Sequence, residues 1–160
     1  MLRGKVALKY QVIIPAAGLS SRFGKPHKSL SEIRVGGGGS IVFLEAALEF
    51  WAPLASEFVF VLSPGAAGHP FRPALSKLAN RFPCQAVFQD EPLGLGHALL
   101  QAEEVAREWF VVALPDCLFR GKLEITGWPA VGVWVNAPRQ EMMENYTVSL
   151  SPDAVRITGC

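Results

Sequence analysis

Apolar residues along this chain fall into short unbroken runs separated by longer amphipathic stretches. Val12-Ile13-Ile14 is a β-branched run closed by Pro15, and Phe58-Val59-Phe60-Val61-Leu62, Ala86-Val87-Phe88 and Phe110-Val111-Val112-Ala113-Leu114 are further continuous runs. Runs without polar alternation are what strands need when both faces of their sheet are covered. Between them, apolar residues recur at helical spacing. One such stretch runs from Ile41 to Trp51, with Ser40 as a candidate N-cap and Pro53 beyond its end, and a second from Phe71 to Arg81. A third opens in the segment Gln89 to Ala98 and runs to about Glu108. Strands alternating with helices predict right-handed βαβ crossovers and a parallel sheet between helical layers.

The remaining stretches are less regular. Residues 1–9 read as a short leader, and Ser29 to Val35 as a weak extended segment. Gly36-Gly37-Gly38-Gly39 reads as a turn, because no basic residue accompanies it as a phosphate loop would require. After Asp116 the pattern changes. Ala130 to Val135, Tyr146 to Leu150 and Ala154 to Ile157 have strand character with no helix between them. They predict either a mixed edge on the main sheet or a small β extension.

Composition narrows the functional classes. A chain of 160 residues, half of them apolar, suits one domain with a substantial core, taken here as residues 1–160. A net charge of +1 disfavours a nucleic-acid binder working through its electrostatic field. Cys84, Cys117 and Cys160 are scattered without metal-ligand spacing, which points to a reducing, cytoplasmic setting. The apolar run near the N-terminus is short and interrupted by Lys9, Tyr10, Gln11 and Pro15, so neither a signal peptide nor a membrane span is expected.

Candidate chemistry concentrates in three places. The stretch Gln11 to Leu30, QVIIPAAGLSSRFGKPHKSL, is a strand running into a loop of small residues. Ala16, Ala17 and Gly18 leave room for backbone N–H groups to approach an anion. Arg22, Lys25 and Lys28 follow within seven residues, offering a planar fork and two mobile point charges. The loop lacks the G-K-[ST] of a P-loop and is not G-x-G-x-x-G, so chemistry alone leaves an anion site and a plain solvated loop both open. The second place is Gln89 to Gly96, after the third strand, and the third is Asp116, after the fourth. Ligands of open α/β sheets sit outside the carboxyl ends of the strands, where all three fall. Each also has an ordinary explanation. Gln89 could be a loop amide, Gly94 and Gly96 could serve a turn and a helix start, His97 could cap or pack, Asp116 could end its segment, and Cys117 could be inert packing.

Together these stretches resemble the nucleotidyltransferases that couple a nucleoside triphosphate to a sugar 1-phosphate. IPAAGLSSRFG followed by PHKSL is similar to that family's signature loop, a strand, then A-A-G-x-x-x-R, then a Lys before a Leu. Arg22 and Lys28 match its signature cations, while Ser20 stands where many members have a second glycine. The interval from Arg22 to Lys28 is nearer to cytidylyl- and molybdopterin-type relatives. QDEPLGLGHALLQAEE resembles the segment after the third strand in enzymes that make UDP- or dTDP-sugars. The Gln and first Gly there read the nucleobase, roles that carry over to Gln89 and Gly94. FVVALPDCLF resembles the strand ending in Leu-Gly-Asp, whose Asp binds Mg²⁺; Asp116 matches it, with Pro115 in place of Gly.

The resemblance implies a Rossmann-like three-layer α/β/α fold and a Mg²⁺-dependent reaction that releases pyrophosphate, UTP or dTTP being the favoured nucleotide. It implies catalytic roles for Arg22, Lys28 and Asp116, and places Ala16, Ala17, Gly18, Gln89 and Gly94 on the nucleotide. It covers roughly residues 11 to 150, only weakly after about residue 120. The family's Glu-Lys-Pro segment and its second metal-binding Asp have no counterpart before Cys160, and Asp153 does not replace the latter. For the missing segments three expectations stay open, a shortened member, a fragment, or a site completed by another subunit, as in a homo-oligomer. For function, a non-catalytic nucleotide-binding module and a structural or interaction domain with a decayed site stand beside the enzyme.

Overall fold

The computed structural model describes residues 9–18, 28–65, 71–118, 121, 147–151 and 154–158, the last two segments as backbone only. In chain order the elements are β1 (Tyr10–Pro15), β2 (Glu32–Arg34), β3 (Ser40–Val42), α1 (Phe43–Trp51), β4 (Ala55–Leu62), α2 (Phe71–Ala79), β5 (Cys84–Phe88), α3 (Leu95–Gln101), β6 (Phe110–Val112), β7 (Thr147–Ser151) and β8 (Ala154–Thr158), with one 3₁₀ turn at Lys28–Leu30. The chain divides into two compact units, Met1–Arg120 and Gly121–Cys160.

In the first unit the main sheet has strand order β5-β4-β1-β6, and every neighbouring pair is parallel. The chain steps from β1 outward to β4 and β5, then returns to lay β6 on the other side of β1. That reversal puts the topological switch point between β1 and β6, where open α/β sheets hold ligands. Register follows the apolar runs: Val12, Ile13 and Ile14 of β1 stand opposite Phe58, Val59 and Phe60 of β4.

Side-chain alternation along these strands builds two cores. Val12, Ile14, Phe58, Phe60 and Leu62 pack with Leu44 and Leu48 of α1 and Phe71 and Leu78 of α2. Ile13, Val59 and Val61 point the other way, onto Ala98 and Ala102, which lie one turn apart where α3 ends. Bulky aromatics fill the space under two helices, whereas small alanines let α3 lie close to β-branched side chains. The result is the expected α/β fold, with helices on both faces of a parallel sheet. No helix among the described residues is long and apolar enough to cross a membrane.

Several local expectations change. Ser40 does not cap a helix: Ser40–Val42 forms β3, paired antiparallel with β2, and Ser40 Oγ donates to Glu32 Oε2 at 3.1 Å across that hairpin. β-Branched Ile41 and Val42 favour extension, so α1 starts at Phe43 with Val42 as a cap that makes no side-chain bond. The glycine run is the hairpin's turn, with Gly37 and Gly38 at φ of 95° and 86°, a region that side chains other than glycine's rarely tolerate. Helix α3 stops at Gln101, not near Glu108. The buried Gln11 side chain takes over backbone groups there, Nε2 donating to Val105 O and Oε1 accepting from Arg107 N–H, each at 2.8 Å. Its amide thus helps bend the chain away from helix and toward β6.

In the second unit β7 and β8 pair antiparallel as their own two-stranded sheet. Among the described residues these two strands pair with each other, as the expectation of a small β extension has it. The leader up to residue 8 and the expected strand Ala130 to Val135 lie outside the described residues.

Candidate functional site

The loop after β1 begins inside the sheet. Ala16 N–H donates to Val61 O at 2.8 Å, continuing the ladder with β4, and the Ala16 side chain lies in the core under α1 and α2. Its N–H is therefore committed to the fold. Ala17 and Gly18 follow, and both line a cleft of about 240 Å³ together with Pro15, Gln89, Pro92, Gly94, Leu95, Ala98 and Leu114. A methyl group placed on Gly18 would meet nothing within 4 Å. Glycine there is not forced by the protein's own packing, and the open space beside it is room for a ligand. The cleft falls below the range of about 300–1,000 Å³ usual for drug-sized ligands and suits one part of a larger molecule.

Gln89 is the one polar side chain among the residues that line this cleft. Gln89 N–H donates to Leu62 O at 2.8 Å, carrying the β4–β5 ladder one residue past β5. Its side chain is only 4 % exposed. The amide nitrogen lies 2.9 Å from His97 Nδ1 and donates to Gly94 O at 3.3 Å. Gly94 has φ of 99°, so glycine is required at this turn. Its carbonyl also accepts Ala98 N–H at 3.1 Å, setting the start of α3.

At the switch point, Lys28 Nζ approaches Asp116 Oδ2 at 3.3 Å. Lys28 opens the 3₁₀ turn after the signature loop, and Asp116 lies four residues past the end of β6. Ala113 N–H donates to Ile13 O at 2.9 Å, which holds the end of β6 alongside β1. The two side chains are 38 % and 42 % exposed, so the pair contributes at most about 1 kcal/mol to stability. Its charges stay accessible to a ligand. Cys117 Sγ lies 3.9 Å from Asp116 Oδ1. Burial pushes the Cys117 thiol up from its ordinary range, the Asp116 charge and hydrogen bond add to this, and the Lys28 cation opposes it. Burial and the Asp116 charge thus disfavour the thiolate form of Cys117 beside the pair.

The donor set bears on a metal. Among the described residues no three His, Cys, Asp or Glu side chains gather as ligands. An accessible carboxylate such as Asp116 fits Mg²⁺, which commonly takes one or two carboxylates and draws its other oxygens from phosphates and water.

The structure thus brings Lys28 to Asp116 and brings Ala17, Gly18, Gln89 and Gly94 to one cleft. Leu114 of the cleft is two residues before Asp116, so the two groups are neighbours along the same loop. Arg22 and Lys25 lie outside the described residues. His97, expected as a cap or core residue, is neither: it is half-buried on α3 between the amides of Gln89 and Gln101. The signal that could have marked it is the pair of polar residues, His97 and Gln101, one helical turn apart directly after Gln89.

No protein-family model matches the chain, and neither does any curated protein. Solved structures do. A UTP-bound UGPase from Acinetobacter baumannii is similar at 21% identity with a TM-score of 0.53, over 71% of this chain and 48% of that one. An inositol-1-phosphate CTP transferase from T. maritima is similar at 20% identity with a TM-score of 0.54, over 71% and 45%. A UDP-glucose pyrophosphorylase from Acinetobacter baumannii is similar at 23% identity with a TM-score of 0.50, over 69% and 47%. The resemblance carried by the three motifs therefore extends to a shared Rossmann-like fold. The chain spans about half the length of each of these structures.

Proposed function

We propose that this chain is the nucleotide-binding part of a nucleotidyltransferase that joins a pyrimidine nucleoside triphosphate, UTP or dTTP, to a sugar 1-phosphate. In that reaction a phosphate oxygen of the sugar 1-phosphate attacks the α-phosphorus. The bond from that phosphorus to the bridging oxygen breaks, and pyrophosphate leaves. Such a step asks the protein mainly to align two anions and to neutralise charge. The observation that carries the reading is the Lys28–Asp116 contact of 3.3 Å at the switch point of the sheet. It unites the signature cation and the signature acid beside the cleft that holds Gln89 and Gly94.

Each residue then has a role. Gln89 and Gly94 meet the base, while Ala17 and Gly18 line the nucleotide; Ala16 positions that loop from within the sheet. Lys28 neutralises charge at the α-phosphate or the incoming phosphate, and Arg22 holds the leaving pyrophosphate. Asp116 would hold Mg²⁺ beside the bound triphosphate. When bound, Mg²⁺ supplies charge neutralisation on the phosphates. The free thiols of Cys84 and Cys117 suit a reducing, cytoplasmic setting.

A second reading, nucleotide binding without turnover, draws on the donor set, in which no three His, Cys, Asp or Glu side chains gather as metal ligands among the described residues. One pair of measurements separates the two: calorimetry with UTP or dTTP in Mg²⁺, and pyrophosphate release on adding glucose 1-phosphate. Binding with release supports the enzyme, and binding alone supports the module. Asp116→Asn should remove the Mg²⁺-dependent part of the affinity in either case. If no triphosphate binds, both readings fail.

A further inference from the structure

We infer that His97 is a positioning residue that decides which atom of the Gln89 amide is offered to the cleft, and through it makes the site prefer uracil or thymine to cytosine. The inference rests on the nucleotide reading above and adds the base preference and the group that sets it. Fold alone does not choose the base, since the similar structures include a UTP-bound protein and a CTP transferase.

An amide can be turned end for end with little change in shape, so its hydrogen-bond partners must decide its orientation. Gln89 Nε2 has two hydrogens, and two acceptors stand in reach: His97 Nδ1 at 2.9 Å and Gly94 O at 3.3 Å. In the turned orientation Oε1 would face the Gly94 carbonyl, acceptor against acceptor, in a side chain only 4 % exposed. That is the costly arrangement. The carbonyl oxygen of Gly94 cannot change its character, so at 3.3 Å it favours the orientation in which Nε2 points inward, and His97, the nearer partner at 2.9 Å, holds the amide there. His97 must then accept at Nδ1, which a neutral imidazole does with its proton on Nε2. That Nε2 lies 3.3 Å from Gln101 Nε2, so the relay requires the Gln101 amide to be turned end for end from this orientation. The ring's N–H is satisfied when the half-buried Gln101 turns its amide oxygen toward it. The chain of donors then runs one way, Gln89 to His97 to Gln101.

The consequence is chemical. With both Nε2 hydrogens held inward, Gln89 has only its oxygen left for a ligand. Uracil and thymine carry an N–H at ring position 3, which that oxygen accepts. Cytosine carries a lone pair at the same position and meets the oxygen acceptor to acceptor. The unmodified chain should therefore bind UTP roughly tenfold or more tighter than CTP, the scale of one unmet buried hydrogen bond.

The test has two arms on the full chain. Nitrogen NMR of the labelled protein without nucleotide, at a pH where the ring is neutral, should find His97 protonated at Nε2 and bare at Nδ1. A ring protonated at Nδ1 overturns the relay whatever the nucleotide does. Calorimetry with UTP and CTP in Mg²⁺ should then give the preference for the unmodified chain, and a ratio shrunk to about threefold or less for His97→Leu. His97→Asn, whose side-chain oxygen can stand in for Nδ1 as an acceptor, should restore it. Melting curves check that both variants fold, and if His97→Leu does not, the NMR arm and His97→Asn decide. An unchanged ratio in folded His97→Leu, or an equal loss in both variants, overturns the positioning role. Equal binding of UTP and CTP by the unmodified chain overturns the base preference while leaving the nucleotide reading intact. Binding of neither overturns that reading and the preference together.

Discussion

Removing the Gln11 amide tests whether β6, and with it Asp116, is held in place by one buried polar side chain. β6 pairs with β1 over only three residues, Gln11 to Ile13 against Phe110 to Val112. Gln11 is 1 % exposed and reinforces this short ladder from the side. It bonds Val105 O and Arg107 N–H at 2.8 Å each, and its nitrogen also donates to Glu57 Oε1 at 3.3 Å. Gln11→Met keeps the length of the side chain and deletes all three contacts. Each orphaned buried group costs about 1–3 kcal/mol. Val105 is half-buried and Arg107 is exposed, so water recovers part of this. The nearby Arg107–Glu57 ion pair at 2.6 Å should persist. A net loss of about 2 kcal/mol follows, which for a unit of this size lowers Tm by about 6–10 °C. Denaturant unfolding measures the first figure and calorimetry the second. Hydrogen exchange adds a local readout: the Ala113 amide, bonded to Ile13 O across the β1–β6 pair, should lose more protection than the Ala16 amide, bonded to Val61 O. Gln11→Glu should be worse at neutral pH, because it turns the donor toward Val105 O and Glu57 into a charged acceptor. Its folded-state pKa would be raised, so the lost stability should return as pH falls and the new carboxyl protonates. A stability change below about 0.5 kcal/mol for Gln11→Met, the size of an ordinary surface substitution, would refute the reasoning.

Arg22→Ala should lower turnover by two or more orders of magnitude with Tm unchanged, if the guanidinium stabilises the leaving pyrophosphate; full activity, or a failure to fold, would remove it from the site. Gln89→Ala should weaken UTP or dTTP binding by roughly one to two decades, read by calorimetry, because the base loses a buried hydrogen-bond partner. Burial and the Asp116 charge hold the Cys117 thiol up, with Lys28 opposing. Alkylation of Cys117 should therefore be slow at neutral pH and rise only at alkaline pH, and Lys28→Met should slow it further. Faster alkylation in that variant would contradict the assigned charges.

Much of the fold was written locally. The runs Val12 to Ile14 and Phe58 to Leu62 are so continuously apolar that only a strand covered on both faces accommodates them, and they became β1 and β4 at the centre of the sheet. The candidate site was legible for a related reason. Small and polar residues directly after such runs must fall at the carboxyl ends of parallel strands, so Ala17, Gly18, Gln89 and Asp116 could be placed on one edge before any coordinates. Tertiary structure decided what depends on partners far along the chain. Ser40 became a strand residue because Glu32 and the glycine turn offered it a hairpin. Helix α3 stopped early where the amide of Gln11 takes up the backbone groups of Val105 and Arg107. Lys28 and Asp116, 88 residues apart, meet only because β6 returns to the side of β1 away from β4. Gln89 Nε2 likewise meets Gly94 O and His97 Nδ1 only across a turn. Periodicity reports what each side chain needs to bury. Which distant donor or acceptor then satisfies a buried polar group is settled by strand order and register, and local pattern carries neither.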